Sequence, residues 1–172
     1  MLGFLKMLLA ASAACSFCAL AQTEAMPFVH EKTYTLPSGK KVAVTLRERK
    51  CKAGECREAD AGMWGMDGGI PRVVTETFVV FIDGTQFLIP EKFHKDLVNT
   101  HYVNVYEQKG RVVIELKGGD AAGAYTGQFI LGGGCGFERK ICGEVCKEIW
   151  ERTTWHNSFA YDRDPQCESG IR

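Results

Sequence analysis

Arg72-Val73-Val74-Thr75-Glu76-Thr77-Phe78-Val79-Val80-Phe81-Ile82-Asp83-Gly84-Thr85-Gln86-Phe87-Leu88-Ile89 is the stretch that decides the fold. β-Branched and aromatic side chains fill it on both sides of Asp83-Gly84, and such residues suit a pleated, half-buried surface. An Asp-Gly pair between two apolar runs favours a two-residue turn, so the stretch predicts an antiparallel hairpin. The same pattern extends in both directions. Upstream, residues 33–36 face residues 41–46 across Pro37-Ser38-Gly39-Lys40. Downstream, residues 101–108 face residues 111–117 across Lys109-Gly110. Residues 124–131 read as a strand broken by Gly132-Gly133-Gly134, and residues 137–141 and 148–155 as the last two strands. The 148–155 run is ambiguous. Val145, Ile149 and Arg152 fit a helix, whereas Thr153, Thr154 and Trp155 favour a strand. Pro90-Glu91 opens a short helix through Leu97, with Pro at an early helical position. The expectation is a mainly β chain: a compact antiparallel β-sandwich or barrel-like sheet of about eight short strands with one short helix.

The remaining composition agrees. The chain has 172 residues, with 45% hydrophobic and 24% charged, which suits one globular domain and excludes wholesale disorder. Nineteen glycines point to turns rather than long helices. Twenty-one basic residues balance twenty-one acidic ones, so no net charge calls for nucleic acid or an anionic membrane.

Residues 1–21 read as a secretory signal peptide. Lys6 is their only charge, residues 7–20 are an apolar run, and Ala19-Leu20-Ala21 is a small-residue cleavage site. The run is shorter than the roughly 20 residues a transmembrane helix needs. A lipoprotein form would use Cys15 after Ser12-Ala13-Ala14, where Ser stands in place of a large aliphatic residue. Cleavage before Gln22 leaves 20 basic and 21 acidic side chains, and no second long apolar segment follows. The expected product, residues 22–172, is a single disulfide-stabilised β-rich domain with a polar tail from Asn157 onward, located in a periplasm or outside the cell.

Six of the eight cysteines remain after cleavage: Cys51, Cys56, Cys135, Cys142, Cys146 and Cys167. An even number in an exported chain reads as a disulfide framework. Cys51 and Cys56 flank a polar turn containing Gly54, so they are expected to bond to each other. The other four are expected to pair among themselves and tie down the tail. The spacings C-x4-C and C-x6-C-x3-C, without a His at a knuckle offset, do not suit a zinc site, and no C-x-x-C redox motif occurs.

Catalytic motifs are lacking. There is no H-E-x-x-H and no G-x-S-x-G. Gly118-Gly119-Asp120-Ala121-Ala122-Gly123 is glycine-rich, but no Gly-Lys-Ser/Thr follows, and the next run reads as a strand rather than the helix a phosphate cradle needs. Asp162-Arg163-Asp164 lacks further ligands at calcium-loop offsets. No motif implies a metal or a cofactor. His94 and His101, with Asp96 between them, are the one candidate acid–base grouping.

Two loops are more informative. Gly62-Met63-Trp64-Gly65-Met66-Asp67-Gly68-Gly69-Ile70-Pro71 mixes large apolar side chains with four glycines. Met63, Trp64 and Met66 either plug one end of the core or form a contact surface. The second loop, residues 118–125, delivers Tyr125 after a run of small residues with Asp120 at its tip. Asp120, Ala122, Gly123 and Tyr125 are its candidate binding residues; the alternative is a tight connection with Tyr125 in the core.

Tyr34-Thr-Leu-Pro-Ser-Gly-Lys-Lys-Val-Ala-Val44 and Ala122-Gly123-Ala124-Tyr125 resemble two short motifs of the periplasmic inhibitors of invertebrate-type lysozyme. The resemblance implies that the second loop enters a lysozyme cleft and blocks its carboxylates. The sequence departs from that pattern at Ala122, where the family has Ser, and in its six cysteines. The resulting expectation is an exported, non-catalytic binding protein, in one form an inhibitor of a cell-wall-degrading enzyme and partner of a lysozyme-type protein. A small secreted hydrolase using His94 or His101 with nearby acids is the second reading, and a structural envelope protein the third.

Overall fold

The computed structural model describes residues 27–57, 62–119, 121–132 and 136–157. The signal peptide, Asp120, Cys135, Cys167 and the tail beyond Asn157 lie outside the described residues. Nine strands are described: β1 (Val29–Thr35), β2 (Lys41–Lys50), β3 (Val73–Ile82), β4 (Thr85–Phe87), β5 (Thr100–Gln108), β6 (Arg111–Gly118), β7 (Tyr125–Gly132), β8 (Gly136–Cys142) and β9 (Ile149–His156). They form two antiparallel meanders, a four-stranded sheet in the order β1-β2-β3-β4 and a five-stranded sheet in the order β5-β6-β7-β8-β9. The architecture is a β-sandwich and not a closed barrel.

The turns explain the register. Asp83 and Gly84 have φ of 50° and 82°, and Ile82 pairs with Thr85. Lys109 and Gly110 have φ of 51° and 74°, and Gln108 pairs with Arg111. Both are two-residue turns whose backbone twist matches that of the flanking strands. The Asp83 carboxylate also accepts from the Lys41 amide at 2.8 Å, tying this turn to the start of β2.

Alternation then builds the core. Val42, Val44 and Leu46 of β2 and Phe78 and Val80 of β3 face Val103 and Val105 of β5, Ile114 and Leu116 of β6, and Phe129 of β7 in one apolar cluster. Rings from the two sheets meet directly: Phe78 and Phe129 have centroids 5.0 Å apart, edge to face. Fully burying a side chain of this size is worth roughly 1.5–3 kcal/mol.

The nine described strands agree with the expected count of about eight, and one expectation needs correction. The segment through Leu97 is not a helix. Only Glu91–Phe93 forms a single 3-10 turn, and His94 leaves helical geometry at φ −139°. The next residues are claimed by sheet-like pairing instead, because the Val98 amide donates to the Trp64 carbonyl. The ambiguous last run is a strand, β9, whose Trp155 packs against the core.

Candidate functional site

Both loops singled out in the sequence cross the same end of the sandwich, opposite the turns at Gly84 and Gly110. In the first, the Trp64 amide donates to the Asp96 carbonyl at 2.8 Å and its carbonyl accepts from Val98 at 3.0 Å. Trp64 thus forms a one-residue parallel bridge with Leu97. Its ring packs against the core and stacks on Trp150 with centroids 5.8 Å apart. Met63 and Met66 are half-buried beside it. The second loop leaves β6 through Gly119, whose amide donates to the Asn99 carbonyl at 3.0 Å, and turns over a 3-10 turn at Ala121–Gly123.

Missing side chains let the loops interlock. A Cβ at Gly65 would collide with the Val98 carbonyl oxygen. A Cβ at Gly119 would stand 2.8 Å from the Gly65 Cα, and one at Gly123 would stand 2.6 Å from the Met66 carbonyl carbon. Real Cβ atoms do not come this close, so packing fixes all three as glycine, in addition to the positive φ of Gly65 and Gly119. A third segment joins them. Cys142 and Cys146 are disulfide-bonded with Cα atoms 4.9 Å apart, and the Glu144 carbonyl accepts from Thr126 Oγ1 at 3.1 Å. Val145, Ile149 and Trp150 around this bond are exposed.

Beneath the loops lies a polar floor. Tyr125 is 1% exposed, and its hydroxyl shares a hydrogen bond with Thr100 Oγ1 at 3.1 Å. Thr100 donates its amide to Glu48 Oε1 at 2.7 Å. Burial pushes the Glu48 carboxyl above its ordinary range, opposed by the hydrogen bonds it accepts from Thr100. Burial likewise pushes the Tyr125 phenol far upward, so it stays protonated. Thr75 Oγ1 donates to the Leu97 carbonyl at 2.5 Å. The bulge between Arg47 and Glu48 accompanies the entry of this carboxylate into the interior.

The structure therefore corrects one candidate. Tyr125 does not project from its loop; it is a core residue whose ring fills the space left by Gly118. Among the described residues of the second loop, Ala121 and Ala122 are exposed, with Gly123 half-buried behind them. The histidines are not brought together as an acid–base group either. His101 is exposed, whereas His94 is 3% exposed and packs edge to face on Phe78. Its Nδ1 has no hydrogen-bond partner, and desolvation drives its pKa down to about 4. The Asp96 carboxylate is committed elsewhere: Arg139, 2% exposed, holds it with a fork at 3.0 and 2.5 Å and also donates to the Phe93 carbonyl.

Between the loops opens a pocket of about 500 Å³, within the range of small-molecule sites. Met66, Gly68, Gly69 and Ile70 line one side, Arg72 stands at the start of β3, and Asn99 with Gly119 lines the other. Asn99 takes φ +54° and donates its side-chain amide to the Gly65 carbonyl at 2.8 Å. Sequence reasoning missed Arg72 and Asn99. The usable signal was Asn99 itself, since Asn tolerates the left-handed region and so marks a sharp connection. Another hollow, beside Arg49, is lined by residues that are already ion-paired, Arg49 with Glu55 and Glu76.

Among the described residues, no group of three or more His, Cys, Asp or Glu side chains is placed to hold a metal, and no helix is long and apolar enough to cross a membrane. The chain matches no family model, no curated protein and no solved structure.

Proposed function

We propose that this protein is an exported, non-catalytic binding domain whose contact surface is the loop end of the sandwich. The observation that carries the reading is the interlocked pair of glycine-rich loops. Backbone packing at Gly65, Gly119 and Gly123 and a disulfide at Cys142–Cys146 hold the end in one shape. A surface that is already ordered loses little entropy on binding. It presents Ile70, Ala121, Ala122, Val145 and Trp150 to solvent. Export is supported by the signal-like residues 1–21 and by two disulfides, which persist in oxidising compartments.

Inhibition of a cell-wall-degrading enzyme is the form suggested by the resemblance to lysozyme inhibitors. With Tyr125 in the core, that form relies on the small tip at Ala121-Ala122 as a wedge. The test is capture from an extracytoplasmic extract on wild-type protein, on Ala122→Arg, and on Lys109→Glu at the opposite end. A protein retained by wild type and Lys109→Glu but lost by Ala122→Arg supports the reading. Retention indifferent to Ala122→Arg overturns it. Unimpaired turnover of an invertebrate-type lysozyme in the presence of excess protein removes the inhibitor form.

A further inference from the structure

We infer that the outer face of the four-stranded sheet is a docking surface for a second copy of this chain, packed face to face about a two-fold axis that runs along the strands between β2 and β3. β3 itself calls for a cover on both sides. Phe78-Val79-Val80-Phe81-Ile82 is apolar without alternation. A strand with one wet face alternates apolar with polar residues, whereas an unbroken apolar run belongs to a strand covered on both faces. The fold covers one of them. Phe78 and Val80 are buried in the core, while Val79 and Phe81, which alternate with them, stand on the outer face, Phe81 being 39% exposed. Phe87-Leu88-Ile89 repeats the pattern, with Phe87 and Ile89 buried and Leu88 52% exposed. Val29, at the start of β1, is 60% exposed. Large apolar side chains gathered on one exposed face mark a contact surface.

The strand register selects a second copy as the occupant. Ala43 pairs with Phe81, and Thr45 with Val79, across β2 and β3. A two-fold axis between these strands and parallel to them lays β2 of each copy over β3 of the other. Phe81 then stands over Ala43 of the second copy, and Val79 over Thr45. Large meets small in both directions, which lets two sheets close to the usual spacing of about 10 Å. At the turn end, exposed Lys41 comes over exposed Asp83 of the second copy, so opposite charges meet twice. At the other end Glu31 and Arg47 already pair with each other within one copy. An axis across the strands would instead set Lys41 over Arg47, like charge on like. Four strands over seven residues give a face of about 450 Å² per copy, or about 900 Å² in the pair, below the roughly 1,200 Å² of stable interfaces. The dimer is therefore weak and concentration-dependent. Its axis leaves both loop ends uncovered and on the same side, so the pairing is independent of what the loop end binds.

The experiment is analytical ultracentrifugation of the disulfide-intact protein from about 1 μM to about 1 mM, a range that brackets a weak dimer. The mass should rise from one copy to two. Phe81→Glu and Ala43→Phe, both checked for unchanged thermal unfolding, should each weaken association at least about tenfold, the first by placing a charge in the apolar centre and the second by filling the space that Phe81 of the other copy takes. Ala43→Phe combined with Phe81→Ala restores large over small and should recover the dimer. A monomer at every concentration, association indifferent to Phe81→Glu, association lost with Ala122→Arg instead, or no recovery in the double variant each overturns the inference. A monomer that binds phosphatidylglycerol vesicles through Phe81 also overturns it, in favour of a membrane surface as the cover.

Discussion

Replacing His94 by Leu should remove an acid sensitivity from the fold. His94 is 3% exposed, packed on Phe78, with Nδ1 unpartnered, and its pKa is lowered from 6.5 to about 4. A base with a depressed native pKa is held neutral by the fold. Its stabilising share is complete above pH 6.5 and declines as pH falls from 6.5 to 4, because the unfolded chain takes up the proton first. At 1.36 kcal/mol per pKa unit, and with the native group half protonated at pH 4, the loss is about 3 kcal/mol. Carboxylates titrate in the same window. Glu55, Glu91 and Glu107 are lowered, whereas Glu48 is raised and acts in the opposite direction. All four are shared by wild type and variant, and only Glu91, whose carboxyl is lowered mainly by Lys95 and least by His94, is touched by the substitution, so the difference between the two is dominated by His94. The assay is urea unfolding of wild type and His94→Leu between pH 7 and pH 4. The stability difference should shift by about 3 kcal/mol in favour of the variant. Parallel pH curves would refute the claim that this imidazole is buried neutral.

Other outcomes follow from the same geometry. Tyr125→Ala should cost about 3–5 kcal/mol in chemical denaturation as a large core truncation, whereas Tyr125→Phe should cost about 1 kcal/mol for the lost hydrogen bond to Thr100. An unchanged melting temperature for Tyr125→Ala would return the ring to the surface. Gly65→Ala should cost more than about 2 kcal/mol, because its φ of +98° and the Val98 carbonyl both oppose a Cβ. Arg139→Met should cost about 3 kcal/mol by stranding Asp96, read by the same unfolding assay. Peptide mapping without reduction should recover Cys51 joined to Cys56 and Cys142 joined to Cys146. An intact mass six hydrogens below the reduced form would leave Cys135 and Cys167 as the third pair.

Much of this protein was determined by local sequence. Asp83-Gly84 and Lys109-Gly110 mark two hairpins locally, because Gly84 and Gly110 take positive φ without a Cβ penalty at the position the turn requires. Period-two alternation placed Val42, Val44 and Leu46 on one face, and the short Cys51-to-Cys56 spacing anticipated that bridge. What the sequence left open was decided by contacts between distant segments. Tyr125 has the same neighbours in sequence whether it projects or is buried; Thr100, from another hairpin, and the cavity left by Gly118 draw it inward. Residues after Phe93 abandon the helix because Trp64, about thirty positions earlier, supplies a competing set of backbone partners. The convergence of the two glycine-rich loops, and the pocket that Arg72 and Asn99 complete between them, exist only after both sheets have packed. Neither period nor propensity carries information about which loops will meet, because that follows from strand order and from the shape of the filled core.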